Sequence, residues 1–285
     1  MHIDKSQVKA WHACSEGFRW FLDKFPQGGA YADVHGALIS DKRYDDARWL
    51  VDQMYRTFLD SAEFIQAETA ATDKMVGELT SMNHPSDQVE GENSSGNYAR
   101  IGSSGYNARI GSSGNYARIG SSGNYAQIGS SGNYARIGSS GNYARIGSSG
   151  NYARIGSSGN YAQIGSSGNY ARIGSSGYNA RIGSSGNDAQ IGSSGNYARI
   201  GSSGNDARIG SSGNDARITA TGNGSVVACA GSVERIVLGE NGCASVPWHD
   251  GKRIRIAVAY VGENGIEANI PYYVNDEGLF VRVED

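Results

Sequence analysis

The chain has 285 residues, of which 42 are glycine, 17 tyrosine and only 6 phenylalanine, a balance far from that of an ordinary globular domain and one that points to a repeat. Its formal charge of −3 conceals a division: residues 1–96 carry 9 Lys and Arg against 16 Asp and Glu, residues 97–218 carry 11 against 3, and residues 219–285 carry 5 against 9. A basic middle therefore lies between acidic ends. The three cysteines, Cys14, Cys229 and Cys243, are scattered and unpaired in spacing, which excludes a disulfide framework or a cysteine zinc site and leaves buried free thiols as the expectation.

The first residues, MHIDKSQVKAWHACSEG, lack the basic and apolar regions of a secretory signal, and no apolar run approaches a membrane span, so a cytoplasmic protein is expected. In SQVKAWHACSEGFRWFLDKF the apolar residues Trp11, Cys14, Phe18, Phe21, Leu22 and Phe25 follow helical spacing until Pro26-Gln27-Gly28-Gly29 stops the run. A second helix is expected to carry Tyr31, Val34 and Leu38, and a third Ala47, Leu50, Val51 and Met54. The polar stretch from Asp60 to Met82 reads as an extension of the last helix. Residues 1–82 thus form a helical N-terminal domain, and 83–95, containing NHPSDQVEGENSSG in part, a linker.

From Gly96 the period is nine. Isoleucine recurs from Ile101 through Ile110 and Ile119 to Ile218 in fourteen strict copies, and the phase persists through Val227 and Ile236. Such self-similarity marks a solenoid, and isoleucine at every ninth residue distinguishes it from a Gly/Ser linker. Within Tyr-Ala-Arg-Ile the strand period of two places Ala and Ile inside and Tyr and Arg outside, because a buried arginine ladder would be prohibitive. The Gly-Ser-Ser-Gly-Asn segment is expected to turn the chain, with glycines at positive φ and Ser and Asn bonding from coil to coil.

A nine-residue coil encloses almost no interior, so two units, eighteen residues, are expected per coil. Counting from Gly96, the departures among the first ten units are Tyr106-Asn107, Gln127, Gln163 and Tyr178-Asn179, all in even units. The odd face is uniform. It carries Tyr98, Tyr116, Tyr134, Tyr152 and Tyr170 beside Arg100, Arg118, Arg136, Arg154 and Arg172, the candidate binding residues. At about 4.8 Å between coils, neighbouring arginines repel by roughly 0.9 kcal/mol in water. Stacking of tyrosines on guanidinium planes, interruption by Gln127, Gln163 and Gln190, and pairing with Asp188, Asp206 and Asp215 are the expected offsets.

Beyond Ile218 the units decay, as a solenoid end closed by larger residues would. RIRIAVAYV, IEANIPYYV and LFVRV, separated by GENG and NDEG turns, read as three antiparallel strands. The fold class expected is mainly β: a parallel β-solenoid over 96–249, with the helical domain before it and a C-terminal β-meander cap over 250–285.

No catalytic constellation is visible. His2, His12, His35, His84 and His249 are dispersed, and His12 and Cys14 do not share a helix face. Phosphate-loop and nucleophile-elbow patterns are absent, and the unit lacks the aspartate of calcium-binding β-rolls, so no enzyme, metal or cofactor is expected. Ice binding would call for a flat array of short hydroxyls, whereas this face shows Tyr and Arg.

The block ACSEGFRWFLDKFPQGGAYADVHGALISDKRYDDARWLV, residues 13–51, resembles an N-terminal segment of uncharacterised bacterial and prophage-encoded repeat proteins, and VAYVGENGIEANIPYYVNDEGLFVRVED is similar to their C-terminal segment. The resemblance implies a bacterial or phage setting and a host-interaction role, and it carries over no catalytic residue. The repeat is also broadly similar to pentapeptide-repeat proteins, some of which mimic DNA, but the period differs and a mimic needs an acidic rod. These features lead to a non-enzymatic scaffold presenting a Tyr/Arg face to a protein partner. Nucleic acid along the arginine ladder is the alternative. No membrane partner is expected, and self-association through the C-terminal cap is a further expectation.

Overall fold

The computed structural model describes residues 1–59, 61–81 and 94–283; of the expected linker, only its last two residues fall among them. The first thirteen strict units each contribute a four-residue strand and the fourteenth a five-residue one, Ala216–Ala220, and the strands pair in parallel at a register of eighteen, as Arg118 with Arg136 and Ile119 with Ile137. Odd units build one ten-stranded sheet and even units the other. Two units therefore make one coil, as the spacing of the departures predicts.

Arg-Ile-Gly-Ser strands alternate faces. Ile and the first Ser turn inward, while Arg, Gly and the second Ser turn outward. The core between the sheets is a column of Ile and Ala, with Ile137, Ile155, Ala135 and Ala153 all buried. Burial of each isoleucine contributes about 1.5–3 kcal/mol, so this column dominates the stability of the rod. Asn side chains bond from coil to coil as expected: Asn133 N donates to Asn115 Oδ1 at 2.8 Å, and Asn151 N to Asn133 Oδ1 at 2.8 Å.

The turn departs from expectation in one respect. The left-handed residue is not glycine but the third of each unit, as at Tyr116 (φ 60°) and Tyr134 (φ 59°); in the inverted units it is Asn107 or Asn179. The turn glycine is needed for close approach instead. A Cβ at Gly132 would lie 2.0 Å from the carbonyl oxygen of Gly114, one coil away. Left-handed geometry costs a tyrosine about 1–2 kcal/mol. Ring stacking, worth about 0.5–1.5 kcal/mol per pair, offsets much of it.

Among the described residues the N-terminal region contains five helices: α1 (Lys5–Ala10), α2 (Ser15–Lys24), α3 (Tyr31–Ser40), α4 (Tyr44–Phe58) and α5 (Ala62–Ser81). The first predicted helix is broken in two, because His12 adopts φ 57° and the Cys14 thiol caps α2 by accepting from Gly17 N at 3.3 Å. Cys14 is exposed, contrary to the expectation of a buried thiol; Cys229 is buried, and burial pushes its thiol up to about 12. Phe21, Tyr31, Val34, Leu50, Met54 and Phe64 form the helical core. Helix α5 is separate from α4 and lies along the even sheet.

The expected C-terminal meander is divided between the two sheets. Ile254–Tyr260 pairs antiparallel with Cys243–His249 and ends the odd sheet. Pro271–Val274 and Phe280–Arg282 pair with each other and join the even sheet at Val233–Leu238. A single three-stranded layer would close only one sheet, whereas this division gives the last parallel strand of each sheet an antiparallel partner at the C-terminal end.

Candidate interaction surface

The ten candidate residues lie together on the odd side. Tyr116, Tyr134, Tyr152 and Tyr170 are 43–47% exposed and stack along one edge, with ring centroids 4.9 Å apart and planes within 6° from Tyr116 onward. Tyr98 is 70% exposed and begins the stack at 5.0 Å from Tyr116. The tyrosines thus stack on one another and not on the arginines. Beside them runs the exposed row Arg100, Arg118, Arg136, Arg154 and Arg172, continued by Gln190 and Arg208.

Next to the arginines are rows that sequence reasoning did not single out. Gly102, Gly120, Gly138, Gly156, Gly174 and Gly192 form the floor of an open groove of about 1200 Å³, and Gly210 continues the same row. A Cβ built on any of these seven would meet nothing within 4 Å. Ser122, Ser140, Ser158, Ser176, Ser194 and Ser212 are exposed along its other side.

The even side has the same lattice but is covered. Helix α5 runs antiparallel to the coil order, placing Ile65 over Gly201, Thr69 by Gly183, Thr72 over Gly165 and Gly147, Val76 over Gly147 and Gly129, and Leu79 over Gly129 and Gly111. The even arginines meet acidic residues from the helices. Arg181 Nη2 reaches Asp52 Oδ1 at 2.6 Å, and Arg199 pairs with the same carboxylate. Burial would raise the Asp52 carboxyl, but the two guanidiniums outweigh it and hold it below the ordinary range. Asp73 accepts from Ser167 Oγ at 2.8 Å. Arginine pairing is therefore with Asp52, and with Glu234 at Arg217, while Asp215 accepts from Ser232 Oγ.

Two further groups are sequestered beneath the helices. Glu68 is buried, which pushes its carboxyl above the ordinary range, against the Tyr31 hydroxyl donating at 2.6 Å and the charge of Arg145. His35 is buried, and that burial, followed by Arg145, holds its imidazole well below its ordinary value. Around it, Arg48 covers the Tyr143 ring at 5.0 Å, and Gln127 and Gln163 flank Arg145. The even-unit glutamines thus spare two guanidiniums from burial. Gln190, on the open side, has no such explanation.

Among the described residues, no group of three His, Cys, Asp or Glu is placed to hold a metal ion, and no helix is long and apolar enough to cross a membrane. His12 and Cys14 line a cavity of about 300 Å³ in the helical region whose other walls are mostly apolar, Val8, Trp20, Phe21 and Leu38 among them.

Residues 1–59 match the YdhT N-terminal domain model. The uncharacterised protein YdhT of Escherichia coli K12 is 37% identical over 75 residues, covering 26% of this chain and 28% of YdhT. Ice nucleation proteins of Pseudomonas syringae are 58% identical over 36 residues, 13% of this chain and 3% of their own length. The chain thus spans under a third of the curated relatives it matches, and no solved structure matches it. Its N-terminal helices and its stacked units together make it a β-solenoid protein related to the uncharacterised YdhT-family bacterial proteins.

Proposed function

We propose that the chain is a non-enzymatic interaction scaffold whose odd face, with Tyr98, Tyr116, Tyr134, Tyr152 and Tyr170 beside Arg100, Arg118, Arg136, Arg154 and Arg172, binds a protein. The observation that carries this reading is the contrast in occupancy: one face of a two-faced rod is covered by the chain's own acidic helices, and the equivalent face is exposed. A basic row beside aromatic rings fits an acidic protein surface and steers its approach. Ice nucleation, the activity in the second relatives' name, would call for a flat hydroxyl array; here a single serine row lies beside arginine.

Nucleic acid is the second reading, supported by arginines repeating at about 4.8 Å with aromatic rings alongside. A pull-down from bacterial lysate, with and without nuclease, separates the two. The intact chain is compared with Arg118→Gln/Arg136→Gln/Arg154→Gln. A defined protein that survives nuclease and is lost in the variant supports the scaffold. Recovery abolished by nuclease assigns the ladder to nucleic acid, and recovery unchanged in the variant removes the arginine face from either role.

Self-association at the cap has its own support. Ile254, Ile256, Val258 and Tyr260 are 52–64% exposed on the strand that ends the odd sheet, and an apolar edge strand is a pairing template. Sedimentation at tens of micromolar tests it: a dimer dissolved by Ile256→Lys supports the role, and a monomer opposes it.

A further inference from the structure

We infer that the glycine groove of the odd face is a seat for an acidic α-helix of a partner protein, in the manner that the even face seats α5. This rests on the protein-binding reading above and specifies the partner's chemistry.

The molecule contains its own template. The same Arg-Ile-Gly-Ser lattice forms both sheets, so whatever makes the even face a helix seat is repeated on the odd one. An α-helix rises about 5.4 Å per turn and strands stand about 4.8 Å apart, so successive helical turns fall close to successive coils. Helix α5 uses this match: the stripe Ile65, Thr69, Thr72, Val76 and Leu79 steps down the glycines from Gly201 to Gly111. Only a residue without a side chain lets the helix come so close. A Cβ at Gly147 would lie 2.5 Å from Thr72 Cγ2, and one at Gly129 would lie 3.0 Å from Val76 Cα.

On the odd face the seat is longer and empty of neighbours. From Gly102 to Gly210 it extends about 29 Å, the length of a helix of about 19 residues, and α5 itself has 20. The charge rule also transfers. On the covered side Asp52 of the neighbouring α4 pairs with two arginines, while of the seated helix itself Glu68 faces the charge of Arg145 and Arg181 and Asp73 answers a serine hydroxyl. The occupant of the open side is accordingly a helix with small, β-branched or aliphatic residues at a 3–4 spacing, and with carboxylates along the flank that meets the arginine row. The chain's own α5 is committed to the even face, which makes the odd-face helix one from another protein.

The test uses the full chain and a peptide of residues 62–81 held helical by Gln66→Glu and Ala70→Lys joined as a lactam, both positions being exposed in α5. Fluorescence titration is expected to give saturable one-to-one binding. Arg118→Gln/Arg136→Gln/Arg154→Gln should weaken it at least tenfold. Gly138→Leu/Gly156→Leu, which fills the groove where a Cβ meets open space, should weaken it at least tenfold while leaving the thermal transition in place. No saturable binding overturns the seat, as does binding unchanged by the leucines or binding by exchange with the chain's own α5. If the pull-down partner needs the arginines but ignores the leucines, the helix seat fails and the binding face stands. If it ignores both, the binding face fails as well.

Discussion

The two faces of the rod share one sequence and differ in what lies on them. On the even side the helical region seats α5 on the glycines, gives Asp52 to two arginines and half-buries the tyrosines Tyr125, Tyr143 and Tyr161. The odd side keeps its arginines, glycines and tyrosines exposed. The lesson is that a repeat specifies a lattice, and that cover, supplied from outside the repeat, decides which copy of the lattice is structural and which is available. Gln127 and Gln163 flank Arg145 beneath the helices, whereas the more deeply buried Arg181 is kept with Asp52 as its partner.

The contrast can be broken most sharply at the ion pairs. Asp52→Asn leaves Arg181, 2% exposed, without its carboxylate, and is expected to cost about 3 kcal/mol in denaturant unfolding. Arg136→Gln, at the matching row of the open side, should stay within about 0.5 kcal/mol. A cost for Arg136→Gln as large as that for Asp52→Asn would mean that the odd row is structural too.

The glycines give the next largest difference. Gly147→Val collides with Thr72 and Val76 and is expected to cost about 1–3 kcal/mol as an overpacked contact. Gly138→Val meets open space and should be neutral within about 0.5 kcal/mol. Thermal melts of the two variants side by side measure this.

Acid should loosen the covered side through His35. His35, facing Tyr31 and Arg145, is held neutral by burial and then by Arg145. Its folded value lies below the unfolded one, so the unfolded chain takes up the proton first. Stability from this group is full above about pH 6.5 and falls as pH drops from there toward the folded value, by at most about 1.4 kcal/mol per unit. Glu68, with a raised carboxyl, slopes the opposite way over its own window, so the comparison is with His35→Gln: the stability difference between the two chains should shift below pH 6.5 and stay constant above it.

The smallest effect belongs to the open edge. Tyr134→Asn loses the stacks with Tyr116 and Tyr152 but places a residue better suited to φ 59°. The two terms oppose, and a net change within about 1 kcal/mol is expected in equilibrium unfolding.

Much of the rod was legible in the sequence, because isoleucine at every ninth residue, and departures that fall in even units throughout the first ten, fix the coil at two units without reference to any contact. The left-handed tyrosine was not legible, since local preference puts glycine or asparagine there and only stacking between coils favours Tyr134. Nor was the seating of α5. Its stripe mixes Thr69 and Thr72 with Ile65, Val76 and Leu79, so the segment reads as polar until the glycine floor is seen to admit small side chains. The even-unit glutamines were visible as a pattern, but their cause lies in residues more than sixty positions away. Of the candidate surface, the Tyr and Arg ladders could be read from the alternation, whereas the glycine row between the arginine and serine rows, carrying no side chain, shows as a groove only once the odd strands are stacked in register.

The most direct test of the central claim, one seat filled and one open, is thiol labelling of two single-cysteine probes in a Cys14→Ser/Cys229→Ala/Cys243→Ala background. Thr72→Cys sits against the even glycines and Gly138→Cys on the open floor. The account predicts that Thr72→Cys reacts on the order of a hundredfold more slowly, its rate set by local opening of α5. Equal rates would contradict it, because α5 would then not be holding the even face closed.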